Sequence, residues 1–138
     1  MQNYKDAYIN FLDHQKWSWF CTFTTAYKLT LKSSRRLMDR FFYSIKKSED
    51  HNVRLFWVAE PNTVEGYHLH GLLYVPNSYQ TQKNYNNIIN SYQNVCGDNN
   101  WHRIELQRFE KGNKASSYCL KHIERAEKSN NGDYDIYI

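Results

Sequence analysis

The chain alternates between two hydrophobic periods, and the order in which they appear restricts its fold more than any other property of the sequence. Apolar residues two apart mark a strand half-buried in a sheet; apolar residues three and four apart mark one face of a helix. "WSWFCTFTT" (Trp17–Thr25) is rich in aromatic and β-branched residues and reads as a strand, with Trp19, Cys21 and Phe23 on one face and Phe20, Thr22 and Thr24 on the other. "SSRRLMDRFFYSIKK" (Ser33–Lys47) carries Leu37, Met38, Phe41, Phe42 and Ile45 on one helical stripe, with Ser33 or Ser34 as the expected cap. "VRLFWVAE" (Val53–Glu60) reads as a second strand. The turn "PNTVEG" then leads into "GYHLHGLLYV" (Gly66–Val75), so these two strands are expected to form an antiparallel hairpin.

"SYQTQKNYNNIINSYQNV" (Ser78–Val95) reads as a second helix with Tyr85, Ile88, Ile89, Tyr92 and Val95 inward, "WHRIELQRF" (Trp101–Phe109) as a strand, "KASSYCLKHIERAEK" (Lys114–Lys128) as a third helix and "YDIYI" as a closing strand. A polar segment precedes them all. The order β-α-β-β-α-β, followed by α and β, predicts an α+β, ferredoxin-like (RRM-like) antiparallel sheet with helices on one face. The other face is expected to stay free for a site, with the last helix against or beside it.

Length and composition narrow the class. The 138 residues suffice for one core and are too few for two ordinary domains, so residues 1–138 are expected to form a single domain. A hydrophobic content of 41% with 23% charged residues is globular rather than disordered. The net charge of +4 permits a polyanionic partner without requiring one. Cys21, Cys96 and Cys119 are odd in number and lack CxxC spacing, which argues against a disulfide framework or zinc knuckle. No signal-peptide profile and no apolar run of about 18 residues is present. The expectation is a soluble, intracellular protein without a membrane partner.

Two clusters carry chemistry. His68 and His70 are two apart on a strand, so they share a face, roughly 7 Å apart along it, while Tyr67, Leu69 and Leu73 face the core. On spacing alone, two solvated histidines fit as well as two metal ligands. Glu60, at the end of the preceding strand and after an apolar run, can come near the pair and would be costly there without a partner. Two imidazoles and a carboxylate suit Mn²⁺, Mg²⁺, Fe²⁺ or Zn²⁺ with positions left open for substrate. On the third helix, Tyr118, Lys121 and His122 share a face at i, i+3 and i+4, flanking an apolar stripe of Ala115, Cys119 and Ile123 with Leu120. A phenol with an ordinary pKa of about 10 is a poor nucleophile at neutral pH. A neighbouring ammonium favours its ionised form, and a metal stabilises the charge that builds on an attacked phosphoryl group. A metal triad beside a Tyr–Lys helix is a coherent kit for attack on a phosphodiester.

Three motifs in order resemble those of the HUH endonucleases, and more closely the single-tyrosine replication initiators (Rep) of rolling-circle plasmids and small DNA viruses. "FCTFTT" (Phe20–Thr25) resembles the first-strand motif, "HLHG" (His68–Gly71) with Glu60 upstream the metal motif, and "YCLK" (Tyr118–Lys121) the catalytic YxxK motif. The resemblance implies a metal-dependent nickase and strand transferase acting on single-stranded DNA at an origin or hairpin. It implies Tyr118 as the nucleophile that keeps the 5′-phosphate, Lys121 as its support, and Mg²⁺ or Mn²⁺ on Glu60, His68 and His70. It further implies a replication helicase as partner, a homodimer as one source of a second tyrosine, and residence in the host cytoplasm, or in the nucleus for a viral protein. No helicase segment follows the catalytic helix, as expected of a minimal initiator or of a fragment. His122 occupies the spacing at which related single-tyrosine transposases place a metal-binding Gln; it is a candidate extra ligand, with a DNA-facing or solvated role the plainer expectation. Lys28, Lys32, Arg35, Arg36, Arg103, Arg108, Lys111 and Lys114 are candidate phosphate contacts, and Trp17, Tyr27 and Tyr79 candidate stacking platforms.

Three other readings compete. A single-tyrosine HUH transposase is also small, but Lys121 and Glu60 weigh against it. A two-His-one-carboxylate oxygenase leaves Tyr118 and Lys121 without a role. A non-catalytic nucleic-acid-binding module leaves the ligand cluster unexplained.

Overall fold

The computed structural model describes residues 2–49, 52–76, 81–97, 101–110, 114–128 and 132–137; within its helices the side chains at 2–5, 8–9, 115–116, 119–120 and 126–128 lie outside the description. Nine elements follow one another: α1 (Gln2–His14), β1 (Trp19–Thr24), α2 (Leu31–Ser48), β2 (Arg54–Pro61), β3 (Tyr67–Tyr74), α3 (Gln82–Cys96), β4 (Arg103–Arg108), α4 (Ala115–Lys128) and β5 (Asp133–Tyr137). The strands form one antiparallel sheet in the order β4-β1-β3-β2-β5. This is the ferredoxin-like α+β arrangement that the alternating periods predict, with β5 added beside β2.

The register separates the two faces. Trp19, Cys21 and Phe23 of β1, Leu55, Trp57 and Ala59 of β2, and Leu69 and Leu73 of β3 are buried with Leu37, Met38, Phe41 and Ile45 of α2 and Ile88 and Tyr92 of α3. Packing this wide aromatic surface under two helices gives the main core, where each large side chain contributes about 1.5–3 kcal/mol of burial. On the opposite face Phe56, Val58 and Leu72 meet Leu12 of α1 and Ile123 of α4, with Phe20, Tyr118, Tyr134 and Ile136 partly buried at the edge.

That second core corrects two expectations. The polar N-terminal segment is the helix α1, which packs on α4, and α4 in turn lies over β2 and β5. The second face is therefore covered on the β2 side. It stays accessible only across β1 and β4, where Thr22 and Thr24 are half-buried and Arg103, Glu105 and Gln107 are exposed. The apolar pattern of α1 is short, and Leu12 is its fully buried anchor. Trp17 is likewise buried rather than exposed, with its indole N–H donated to the carbonyl of Leu12 at 2.8 Å, so it is no stacking platform.

Local signals moved some boundaries. The cap of α2 is Thr30 rather than Ser33 or Ser34. Thr30 accepts from the Ser33 amide, and the Ser33 hydroxyl accepts from the Thr30 amide, forming a reciprocal capping box. Helix α3 starts at Gln82, capped by Thr81, not at Ser78. Cys21 and Cys96 are free thiols. Among the described residues, no helix is long and apolar enough to cross a membrane.

Gly71 is the one position in β3 where a side chain has no room. A Cβ there would run into the Phe56 carbonyl oxygen of the neighbouring strand. The strands would have to part in the middle of the sheet. Gly71→Ala is expected to cost about 1–3 kcal/mol, the usual range for overpacking a tight interior. Urea denaturation followed by tryptophan fluorescence would measure it; an unchanged midpoint would show that β2 and β3 yield without strain.

Candidate metal centre and tyrosine site

The antiparallel register brings the acidic and basic groups of the hairpin together. Glu60 pairs directly with His68, and His70 sits opposite Val58 on one side and Thr22 on the other. Paired residues share a face, so Glu60, His68 and His70 all project toward α4. Glu60 lies at the end of β2, only 4% exposed, with apolar residues preceding it.

Helix α4 supplies the remaining groups. His122, 7% exposed, donates its Nδ1–H to Oε1 of Glu60. Its ring stacks on His70 with centroids 4.8 Å apart and planes at 27°. Ligand atoms of Glu60, His70 and His122 all lie within 4.8 Å of one another, which makes these three the candidate metal set among the described residues. The expectation of a solvated or DNA-facing His122 is thus corrected. The side chain turns inward because Ile123 beside it anchors that face of α4 in the core and Glu60 requires a partner.

His68 stands beside this set rather than within it. Its Nε2 is 3.1 Å from Oε2 of Glu60, and its Nδ1 is 2.7 Å from Oδ1 of Asn62. The side chain is more exposed than those of Glu60 and His122. Arg125, one turn after His122, brings its guanidinium to 4.0 Å from the Glu60 carboxylate.

Electrostatics place these groups in the protonation states that metal binding requires. Burial works to raise the Glu60 carboxyl, but hydrogen bonds and charge from His122 and His68 outweigh it, so Glu60 lies below its ordinary value and is ionised. Burial, helped by the neighbouring His122 and His68, pushes His70 down to about 4. Burial also lowers His122, against the pull of Glu60. An ionised carboxylate among neutral imidazoles is a ready donor set: nitrogen and oxygen ligands of intermediate softness, fit for Mn²⁺, Zn²⁺ or Fe²⁺ and tolerant of Mg²⁺.

Tyr118 sits one turn before His122 on the same face. Its ring lies 4.6 Å from the His122 ring and 5.0 Å from Phe20. Its hydroxyl donates to the Gly71 carbonyl at 3.4 Å, next to His70 in the chain. Lys121 is exposed on the outer flank of α4 and contributes charge toward His122.

The basic residues do not converge on this site. Arg35 is committed to Asp135 and Asp133 of β5, at 2.6 and 2.9 Å, and lies over the Trp57 ring, so it fastens the edge strand rather than waiting for a phosphate. Lys28 pairs with Glu65. Lys32 and Arg36 are exposed on α2, Lys114 precedes α4, and Arg108 faces the α3 side of β4. Arg103 is exposed on the same face as His70. Tyr27 is half exposed, while Lys111 and Tyr79 lie outside the described residues.

Sequence reasoning missed Asn62 and Arg125. Arg125 was legible as the i+3 neighbour of His122. Asn62 lies in a turn, where asparagine is ordinary.

The imidazoles make stability fall in acid. Between pH 6.5, the ordinary value, and about 4, the unfolded chain binds a proton at His70 that the folded protein refuses. Stability therefore declines as pH drops through that window, and Glu60 adds to the loss below its ordinary 4.5. His70→Gln, neutral throughout, is expected to flatten the decline. Thermal unfolding in EDTA across this range would show it, and an undiminished slope would contradict the assignment.

No curated protein and no solved structure gives a significant match to the chain. Residues 18–127 match the model of a family described as replication-associated protein, of the ORF2 type. That span runs from the start of β1 to the end of α4 and includes Glu60, His68, His70, Tyr118 and His122. The chain belongs to this family of replication-associated proteins.

Proposed function

We propose that the chain initiates replication by nicking and rejoining single-stranded DNA, with Tyr118 as nucleophile and a divalent metal held by Glu60, His70 and His122. His68 closes the set as a fourth donor. The observation that carries this reading is the convergence of a buried carboxylate and two neutral imidazoles beside a tyrosine on the same helix as one of them.

The chemistry balances as a transesterification. The Tyr118 oxygen forms a bond to phosphorus, and the bond from phosphorus to the 3′-oxygen breaks. The phenolic proton leaves Tyr118, and the departing 3′-oxygen takes up a proton. Attack by a 3′-hydroxyl on the phosphotyrosine reverses both steps and reseals the strand. Bound at this site, the cation would polarise the phosphoryl oxygen and stabilise the charge developing there. Phe20 and His122 hold the Tyr118 ring between them, limiting its search for the phosphate. Lys121 and Arg125 add positive charge at the rim, which favours the phenolate and the approaching phosphate. Mg²⁺ or Mn²⁺ fits this role, with an origin or hairpin as substrate and a helicase to extend the opened strand.

His122 gives one competing reading its own support. Its position four residues after Tyr118 matches the ligand spacing of single-tyrosine transposases, whereas family membership favours the initiator. Labelled single-stranded DNA incubated with the protein and Mn²⁺ would separate them. An initiator yields a protein–DNA adduct on origin-like strands that survives denaturing electrophoresis. Tyr118→Phe abolishes it, and EDTA or His70→Ala reduces it by about 100-fold or more, the scale of losing electrostatic stabilisation at phosphorus. Adducts confined to transposon-end hairpins would favour the transposase. An adduct that persists in Tyr118→Phe would overturn the nucleophile.

A further inference from the structure

We infer that Asn62 is a positioning residue that fixes the His68 imidazole with Nδ1 protonated and Nε2 presented to the metal, which makes His68 a working fourth ligand. The inference rests on the metal site proposed above.

The argument is one of donors and acceptors. The Asn62 side-chain Nδ2 donates to the Glu65 carbonyl at 3.0 Å. A carbonyl only accepts, so the amide orientation is fixed and Oδ1 must face the other way, toward His68. Oδ1 in turn only accepts, so the His68 Nδ1 at 2.7 Å carries a hydrogen. The remaining nitrogen, Nε2, lies 3.1 Å from the Glu60 carboxylate. A neutral imidazole would turn a bare lone pair toward a carboxylate oxygen. That contact is favourable only with a positive charge between the two, either a proton on Nε2 or a metal ion shared with Glu60.

The turn is built to hold Asn62 still. Its backbone N–H donates to the Gly66 carbonyl at 2.9 Å, closing the β2–β3 connection. Gly66 takes φ +83°, a conformation that side chains rarely adopt, and a Cβ there would touch Lys28. Asn62 is therefore tied at both its backbone and its amide, and His68 inherits that order. Ligating histidines commonly have such a partner on the other ring nitrogen, and its loss typically costs 10–100-fold in metal affinity.

Two substitutions separate the acceptor from the turn. Asn62→Leu removes both side-chain bonds. Asn62→Asp keeps an oxygen facing Nδ1 but loses the amide donor to Glu65. Mn²⁺ affinity measured by calorimetry at about pH 8, above the ordinary imidazole pKa of about 6.5, is expected to fall about 10–100-fold in Asn62→Leu and to stay near wild type in Asn62→Asp. Nitrogen-15 NMR of the Zn²⁺-loaded wild type is expected to show His68 protonated at Nδ1 and metal-bound at Nε2. Melting temperatures of the metal-free variants control for damage to the turn. Equal affinities in wild type and Asn62→Leu overturn the inference, as does an Asn62→Asp affinity as low as that of Asn62→Leu. Wild type that binds no Mn²⁺ instead overturns the metal site itself, and the inference falls with it.

Discussion

A carboxylate at the end of a buried strand must be partnered, and the site is organised around that requirement. Glu60 closes the apolar run of β2 almost wholly out of water. An ion so placed is tolerable only where hydrogen bonds and opposite charge replace its hydration. Its two oxygens are taken by His122 from α4 and His68 from β3, with Arg125 at the rim. The same contacts dock α4 on the sheet at a fixed rotation. That rotation sets Tyr118 against Phe20 and the Gly71 carbonyl. The tyrosine is placed by the helix, and the helix is registered partly by Glu60.

The sheet divides its labour by face. The α2/α3 face is a dry aromatic core, with Trp57, Phe23, Phe41 and Tyr92 fully buried. The α4 face mixes a small core with the ionisable cluster, and its open half over β1 and β4 is polar. A long nucleic-acid strand could approach the cluster only from that open half, since α1 and α4 cover the other. The edge strand β5 is secured from the dry side, where Arg35 spans Asp133 and Asp135 above Trp57. One of the candidate phosphate contacts thus does structural work, which charge counting alone could not reveal.

Much of this was legible in the sequence because strand and helix periods are local properties. The alternation Glu60, His68, His70 on one face follows from pairing across a tight hairpin, and the observed register agrees. Tyr118 and His122 share a face by helical spacing alone. What could not be read was which neighbour each group would choose. His122 became a buried partner of Glu60 because α4 crosses β2 at that height, a tertiary fact with no local signal. Helix α1 escaped notice because its single deep anchor, Leu12, gives a weak stripe, and Asn62 because turn asparagines are common. Thr30 and Thr81 took the capping roles because a cap is chosen by where the chain bends into the helix, not by which serine comes first in the apolar stripe.

The central claim is that a divalent cation occupies the space between Glu60, His70 and His122. Anomalous diffraction from crystals grown with Mn²⁺ tests it most directly. The account predicts a single strong peak within coordination distance of Glu60, His70 and His122, with His68 Nε2 turned toward it. A map with no peak there, or with the ion bound elsewhere on the sheet while His122 stays hydrogen-bonded to Glu60, would contradict it.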